Sequence, residues 1–320
     1  MILNHFIDRL TTNNINFVLL KDIRCPKLRS EDHIKQLVVM PSGEFERIKY
    51  YKGNRKSFSA VLCLGNIPPA IKMPVPVHTY IHNVSLLLIP KDYPLFLKVK
   101  TFIKRCYISL LAKNTDSWIV QTENTENLVK CYLPDESKPV FRFPFYYIPE
   151  DINHVPYINR TDYVFVGECT KAKGHEYLIE AWTKLARMGF NKRLHLTVSD
   201  HATCLDIEKA QRSGANIINH GYGAFEKIIE YYNMSKATIY PSLNESLGLG
   251  IIEAVEAGCD VIACDLPYVH CISSPSATFK ACDSDSIVNA VIEYEKNQLP
   301  RTRLLIHDMA DELIDFIQNK

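Results

Sequence analysis

Apolar residues in this chain fall into short runs separated by longer polar or helically spaced segments, the alternation expected of strands and helices. Ile2 to Leu10 carries apolar side chains at 2, 3, 6, 7 and 10, a helical period. Phe17 to Leu20, Gln36 to Met40, Ser59 to Leu64, Val77 to Ile81 and Ser117 to Gln121 read as strands. Several are almost continuously apolar, as parallel strands covered on both faces are. Glu44 to Lys56 is a polar helical segment between two of them. Phe96 to Lys113 predicts a longer helix, with Phe96, Leu97, Phe102, Ile103, Tyr107 and Leu110 to Leu111 expected to bury one side. Residues 143–161 hold three prolines and many aromatics without any period, which reads as a connection.

The second half repeats the alternation. A strand at Tyr163 to Val166 leads through a loop, Gly167 to Gly174, into a helix from His175 to Met188. Tyr177, Leu178, Ala181, Trp182 and Leu185 form its buried stripe, and Gly189 stops it. Strands follow at Leu194 to Val198 and Asn216 to Asn219, then the loop His220 to Gly223 and a helix from Ala224 to Asn233. Ala237 to Tyr240 is a strand, its loop carries Glu245, and a helix opens at Gly248 and closes at Gly258. Val261 to Ala263 and Ala277 to Phe279 are further strands. Helices from Ser284 to Lys296 and from Leu304 to Ile317 finish the chain. Two doubly wound α/β domains are the expectation: 1–145, 160–300, and a terminal helix in 301–320 that crosses back onto the first.

At 320 residues, 47% apolar and 23% charged, the chain has the composition of an ordinary globular protein. It has no continuous apolar run long enough to span a bilayer, and its start lacks a secretory pattern. The ten cysteines stand singly, without C-x-x-C pairs or zinc spacing, which suits a reducing cytoplasm. Net charge is +1, but residues 1–150 hold 21 Lys+Arg against 13 Asp+Glu (+8), and the remainder 16 against 23 (−7). A basic first half fits an anionic membrane, an acidic acceptor or nucleic acid, or has no functional meaning.

Candidate chemistry gathers at strand ends, where open parallel sheets bind ligands. Glu245 and Glu253 flank a helix opening where Ser246, Gly248 and Gly250 leave the backbone uncrowded, as a phosphate or sugar would need. By itself a carboxylate pair of this kind is more often a loop acid and a surface helix acid. Lys173, with Lys171 in the same loop, could meet phosphate charge, although a solvated lysine is the commoner case. Gly221 and Tyr222 could admit and cover a planar base, or form a plain glycine turn. In the first half, Asn66 in Gly-Asn-Ile-Pro-Pro, and His82 and Asn83 after His-Thr-Tyr-Ile, lie at strand ends. Turn chemistry alone would explain them.

The wording of these segments is more specific than their spacing. Glu-Ser-Leu-Gly-Leu-Gly-Ile-Ile-Glu-Ala, preceded by Tyr-Pro-Ser and followed by Gly-Cys-Asp-Val-Ile-Ala and Asp-Leu-Pro-Tyr, resembles the E-x7-E signature of retaining glycosyltransferases of family 4. Phe-Val-Gly, then Lys-Gly-His and Leu-Ile-Glu-Ala, resembles that family's G-R…K-G segment, with Glu168 where an Arg is usual. Gly-Asn-Ile-Pro-Pro and Thr-Tyr-Ile-His-Asn resemble acceptor-side segments of polysccharide-assembly members. The resemblance implies the GT-B fold, two Rossmann-like domains facing across a cleft. It implies transfer of a sugar from a nucleotide-sugar, with retention, to a hydroxyl of a lipid-linked glycan in surface polysaccharide or O-antigen (lipopolysaccharide) assembly. Glu245, Lys173 and His82 would then be catalytic. Glu253, Ser246, Leu247, Gly248, Leu249, Gly221, Tyr222 and Lys171 would bind the donor, and Asn66 and Asn83 would line the cleft. No metal or cofactor is implied, and no nucleic acid partner. A cytoplasmic enzyme, peripheral on the inner face of an anionic membrane through residues 96–113, is the expected setting. The family's usual first strand and Gly-Gly loop are not found at the start of the chain. With Glu168, that leaves a catalytically degenerate binding subunit as the alternative, with Lys171 as the residue expected to offset Glu168.

Overall fold

The computed structural model describes all residues except 1, 26, 29–33, 35, 42, 89–93, 134–136, 150–151, 153–155, 224 and 320. The chain divides into two compact units, residues 1–147 with 307–320, and residues 148–306.

In the first unit, α1 (Ile2–Thr12) precedes a parallel pair, β1 (Leu19–Asp22) and β2 (Leu37–Met40). Then come α2 (Glu44–Asn54), β3 (Val61–Cys63), β4 (Val77–Ile81), α3 (Leu95–Leu111), β5 (Ser117–Val120), α4 (Glu123–Tyr132) and β6 (Val140–Arg142). Strands β3, β4, β5 and β6 form one parallel sheet in that order. Strands β4 and β5 are buried at every position, and their polar members are paired: His78 Nδ1 lies 2.7 Å from Ser117 Oγ, and Thr79 Oγ1 2.9 Å from Thr115 Oγ1. Strand β6 and helix α4, which Thr122 caps through the Thr125 amide, are additions to the sequence-based expectation.

Helix α3 departs from expectation in how it packs. Ile108 and Leu111 are buried, whereas Phe96, Phe102, Ile103 and Leu110, expected to be covered, are exposed.

The second unit runs β7 (Asp162–Phe165), α5 (His175–Arg187), β8 (Leu194–Leu196), α6 (His201–Arg212), β9 (Ile217–Asn219), α7 (Phe225–Met234), β10 (Ser235–Tyr240) and α8 (Leu249–Glu256). It continues through β11 (Asp260–Cys264), α9 (Pro267–Ile272), β12 (Ser273–Ser274), β13 (Ala277–Phe279), α10 (Ser284–Lys296) and β14 (Arg303–Leu304). Six strands make one sheet in the order β13-β11-β10-β7-β8-β9, every adjacent pair parallel. The chain therefore builds outward from β7 through β8 to β9, returns to place β10 on the other side of β7, and builds outward again. Strand order reverses between β7 and β10, and the carboxyl ends of those two strands open a crevice there. At the opposite end of the sheet, Asp260 accepts from Tyr157, Tyr294, Arg301 and the Thr302 amide, a structural knot that anchors β11.

The last helix is shorter than its sequence pattern. Residues from Leu304 first close β14 against β12, and only Ala310–Gln318 is helical, as α11. Its Ala310, Leu313 and Ile314 pack with Phe6, Tyr80, Ile119 and Phe145 of the first unit. Asp308 accepts from His5 at 2.8 Å, and Asp311 pairs with Arg9. Among the described residues no helix is long and apolar enough to cross a membrane.

Candidate functional site

The loops leaving β7 and β10 are joined backbone to backbone: the Leu243 amide donates to the Ala172 carbonyl at 2.7 Å. Gly174 makes this possible. It sits at φ +68°, and a Cβ there would lie 2.7 Å from the Pro241 carbonyl oxygen. Lys173, just before it, donates to Glu245, so two of the sequence-predicted residues meet at the reversal point. Glu245 Oε1 also accepts from Ser242 Oγ at 2.6 Å and from Tyr240 Oη at 3.0 Å. Ser242 is itself fixed, since its carbonyl accepts from Tyr268 Oη at 2.6 Å and from Cys264 Sγ. Ser242 and Tyr240 thus hold the carboxylate, with its ammonium partner, as one partly buried unit whose hydrogen-bonding directions are preset.

Helix α8 begins two residues beyond Ser246 and Leu247. Gly248 takes the N-cap at φ +63°, where a Cβ would meet Ile272 Cδ1 at 2.8 Å. The helix thus starts one residue later than its apolar pattern suggested. The amides of Leu249 and Gly250 open it and have no carbonyl within the helix to receive them, leaving partial positive charge beside Glu245 and Lys173. One turn in, Glu253 accepts a long hydrogen bond from Tyr232 Oη, 3.5 Å, and Tyr232 Oη also reaches the Gly250 carbonyl. Burial raises the Glu253 carboxyl to about 7, with the Tyr232 hydrogen bond working weakly the other way.

The remaining donor-side candidates sit at neighbouring strand ends. Lys171 and Glu168 are exposed, and among the described residues no ion pair joins them, so the expected offset of Glu168 by Lys171 is not made. Lys173 turns to Glu245 instead. Gly221, at φ +66°, follows β9, and Tyr222 is 93% exposed. The preceding His220 ends a relay: Asp162 accepts from His195 Nε2 at 2.9 Å, and His195 Nδ1 meets His220 Nε2 at 2.9 Å. The His220 ring stacks on Tyr231 with centroids 3.8 Å apart.

In the first unit, Asn66 adopts φ +64° and its Oδ1 accepts from the amides of His82 and Asn83 at 2.8 and 3.0 Å. Its amide nitrogen can therefore only donate, so His82 Nε2, 3.2 Å away, is the acceptor and the His82 proton is on Nδ1. Desolvation lowers the His82 pKa, in keeping with a neutral ring. Asn83 turns its side chain to the Ser85 amide as a cap. The structure thus brings Asn66, His82 and Asn83 into one cluster, within the unit that does not carry Glu245.

Residues 152–308 match the model of the glycosyl transferases group 1 family. They form a glycosyl transferases group 1 domain. Among curated relatives, the serotype-specific mannosyltransferase WbdA of Escherichia coli is 22% identical over 225 residues, covering 61% of this chain and 28% of WbdA. The chain therefore spans under a third of that relative's length. Among solved structures, sucrose-phosphate synthase from Thermosynechococcus elongatus is similar with a TM-score of 0.69 at 13% identity, over 92% of this chain and 83% of that one. The lipopolysaccharide outer core galactosyltransferase WaaB gives 0.64 at 13% identity, over 99% and 90%. These likenesses establish the fold, which is GT-B.

Within the group 1 domain, two residues without a sequence-based role prove central to the geometry. His175 is buried in the first turn of α5 against Phe165, and burial, then the Lys173 charge, pulls its pKa down to about 4. It is a neutral prop behind the Lys173 loop. Tyr240, read only as the end of a strand, supplies a hydrogen bond to Glu245. The signal for it was its place in Tyr-Pro-Ser, directly before the loop.

Proposed function

We propose that this protein is a retaining glycosyltransferase of family 4 that moves a sugar from a nucleotide-sugar to a hydroxyl of a lipid-linked glycan in surface polysaccharide or O-antigen assembly. The observation carrying this reading is the Lys173–Glu245 pair at the strand-order reversal, beside the amide-rich start of α8 and within one turn of Glu253. The similarity to a serotype-specific mannosyltransferase and to a lipopolysaccharide galactosyltransferase supports the polysaccharide setting.

In this reading Glu253 accepts the ribose hydroxyls, while Gly221 and Tyr222 meet the base. The diphosphate lies over the amides from Ser246 to Leu249 and draws Lys173 toward it. Glu245, relieved of part of its ion pair, turns its free oxygen to hydroxyls of the donor sugar. The bond from the anomeric carbon to the phosphate oxygen breaks, and that oxygen takes the proton of the acceptor hydroxyl as the new glycosidic bond forms on the same face. Lys173 and the helix amides stabilise the charge on the leaving diphosphate, an effect worth several kcal/mol where donors are fixed in advance. Asn66, His82 and Asn83 serve the acceptor side. The two glutamates then act as holders of the donor, not as the acid and nucleophile of a glycosidase. The reaction uses no cofactor, and its setting is the cytoplasmic face of a membrane that carries the acceptor.

Titration with a panel of UDP- and GDP-sugars by calorimetry, followed by turnover with lipid-linked acceptors, tests the proposal. Micromolar binding of at least one donor is expected. Glu253→Ala should abolish it, and Lys173→Ala should slow turnover by about 100-fold or more. Absence of binding by every donor refutes the enzyme reading. Glu168, exposed on the Lys173 loop where the family has Arg, favours the second reading, a silent binding subunit, which predicts donor binding without turnover.

A further inference from the structure

Helix α3 is apolar on two opposite sides. Ile108 and Leu111 face the core of the first unit with Leu87, Trp118 and Val129. On the other side, Leu95, Phe96, Val99, Phe102, Ile103 and Leu110 recur at helical spacing and are all exposed, Leu95 at 77% and Phe96 at 69%. Scattered exposed apolar residues need no explanation, but six on one face of a single helix do. At 100° per residue, Lys98 and Arg105 fall beyond one edge of this face and Lys100 beyond the other, with Lys104, exposed, further round on the Lys100 side. No Asp or Glu occurs between Leu95 and Lys113. Arg105 is held at its edge, donating to the Leu87 carbonyl at 3.2 Å with its guanidinium over the Phe102 and Tyr132 rings.

We infer that this outer face of α3 lies in the headgroup region of an anionic membrane. The helix is about 26 Å long at 1.5 Å per residue. It is too short and too charged to span a bilayer but suited to lie in its interface, apolar side down, with basic residues reaching lipid phosphates on both flanks. The charge pattern selects this occupant. A second copy docked on the same face would set the same four cations against their own images, with no acid in the helix to answer them. The inference is independent of the donor site, because binding is measured on vesicles carrying neither donor nor acceptor.

Cosedimentation of the full chain with phosphatidylcholine vesicles, with and without phosphatidylglycerol, is the test. Partitioning should be at least tenfold stronger with the anionic lipid and should fall as salt rises. Lys100→Gln with Lys104→Gln should weaken it about 25-fold, near fivefold per charge. Phe102→Ser with Ile103→Ser should weaken it at least tenfold while the circular dichroism spectrum and thermal midpoint change little, since both side chains are more than half exposed. Failure to bind, equal binding to neutral vesicles, or indifference to either double variant overturns the inference. So does concentration-dependent self-association in ultracentrifugation that the Phe102→Ser, Ile103→Ser variant abolishes, which would make a second copy the occupant.

Discussion

At Glu253 two demands compete. Burial holds the carboxyl at about 7, against an ordinary value of 4.5, so the folded chain binds that proton more tightly than the unfolded chain does. Its contribution to stability is therefore full below about pH 4.5 and is lost as the pH rises through 7. A ribose that donates hydroxyls to the carboxylate favours the ionised form. Donor binding should then expel a proton and tighten about tenfold between pH 6 and 8. Calorimetry with UDP or GDP in two buffers of different ionisation enthalpy reads the proton release directly. Glu253→Gln should flatten the pH dependence, and an unchanged profile would remove Glu253 from the donor site. The same scale shows what a sequence hides. Glu245, Glu253 and Lys173 were visible because their neighbours form recognisable words. His195 was not, because it lies in the middle of β8 and its partners come from elsewhere, Asp162 at the start of β7 and His220 just after β9.

At the scale of elements, the site depends on how closely two loops approach. Gly174→Ala places a methyl 2.7 Å from the Pro241 carbonyl and keeps a positive φ that a side chain disfavours. The loops must part, at a cost of about 1–3 kcal/mol, and the Lys173–Glu245 pair with them. Thermal unfolding should show the loss, and donor affinity should drop tenfold or more. An unchanged affinity would mean that loop contact does not shape the site. Most strands and helices were legible from period alone, and the misses have causes. Helix α6 carries a clear start in Asp200, whose side chain accepts from the Thr203 amide, yet its body is polar with only Ile207 and Ala210 buried. Helix α4 is similar, with Thr122 as its cap. Helix α3 was legible as a helix but not in its orientation, because a helix apolar on both sides has no unique face to assign to a core. Leu304 to Met309 reads as helical by spacing, but Leu304 pairs with Ser273 instead, a partner that no local pattern names.

For the whole molecule, the order β13-β11-β10-β7-β8-β9 is what opens the crevice between β7 and β10, and order is a property of distant pairings. The alternation of strands and helices announced a doubly wound sheet. It did not say that β10 would lie against β7, the pairing that brings Glu245 to Lys173. The other long-range relation is α11 on the first unit. Leu313 is fully buried among Phe6, Tyr80, Ile119 and Phe145, so Leu313→Ala should cost about 2–5 kcal/mol. Hydrogen exchange should localise that loss to those cluster residues. Protection that stays unchanged there would show that α11 does not hold this core.

The placement of α11 also bears on how the chain is made. Residues 148–306 are contiguous, so on the ribosome that unit has all its parts once they have emerged. The first unit, although synthesised earlier, must wait for residues 307–320 before its core can close. The first unit should therefore stay incompletely packed until residues 307–320 have emerged, and this is the interval in which a chaperone would be needed.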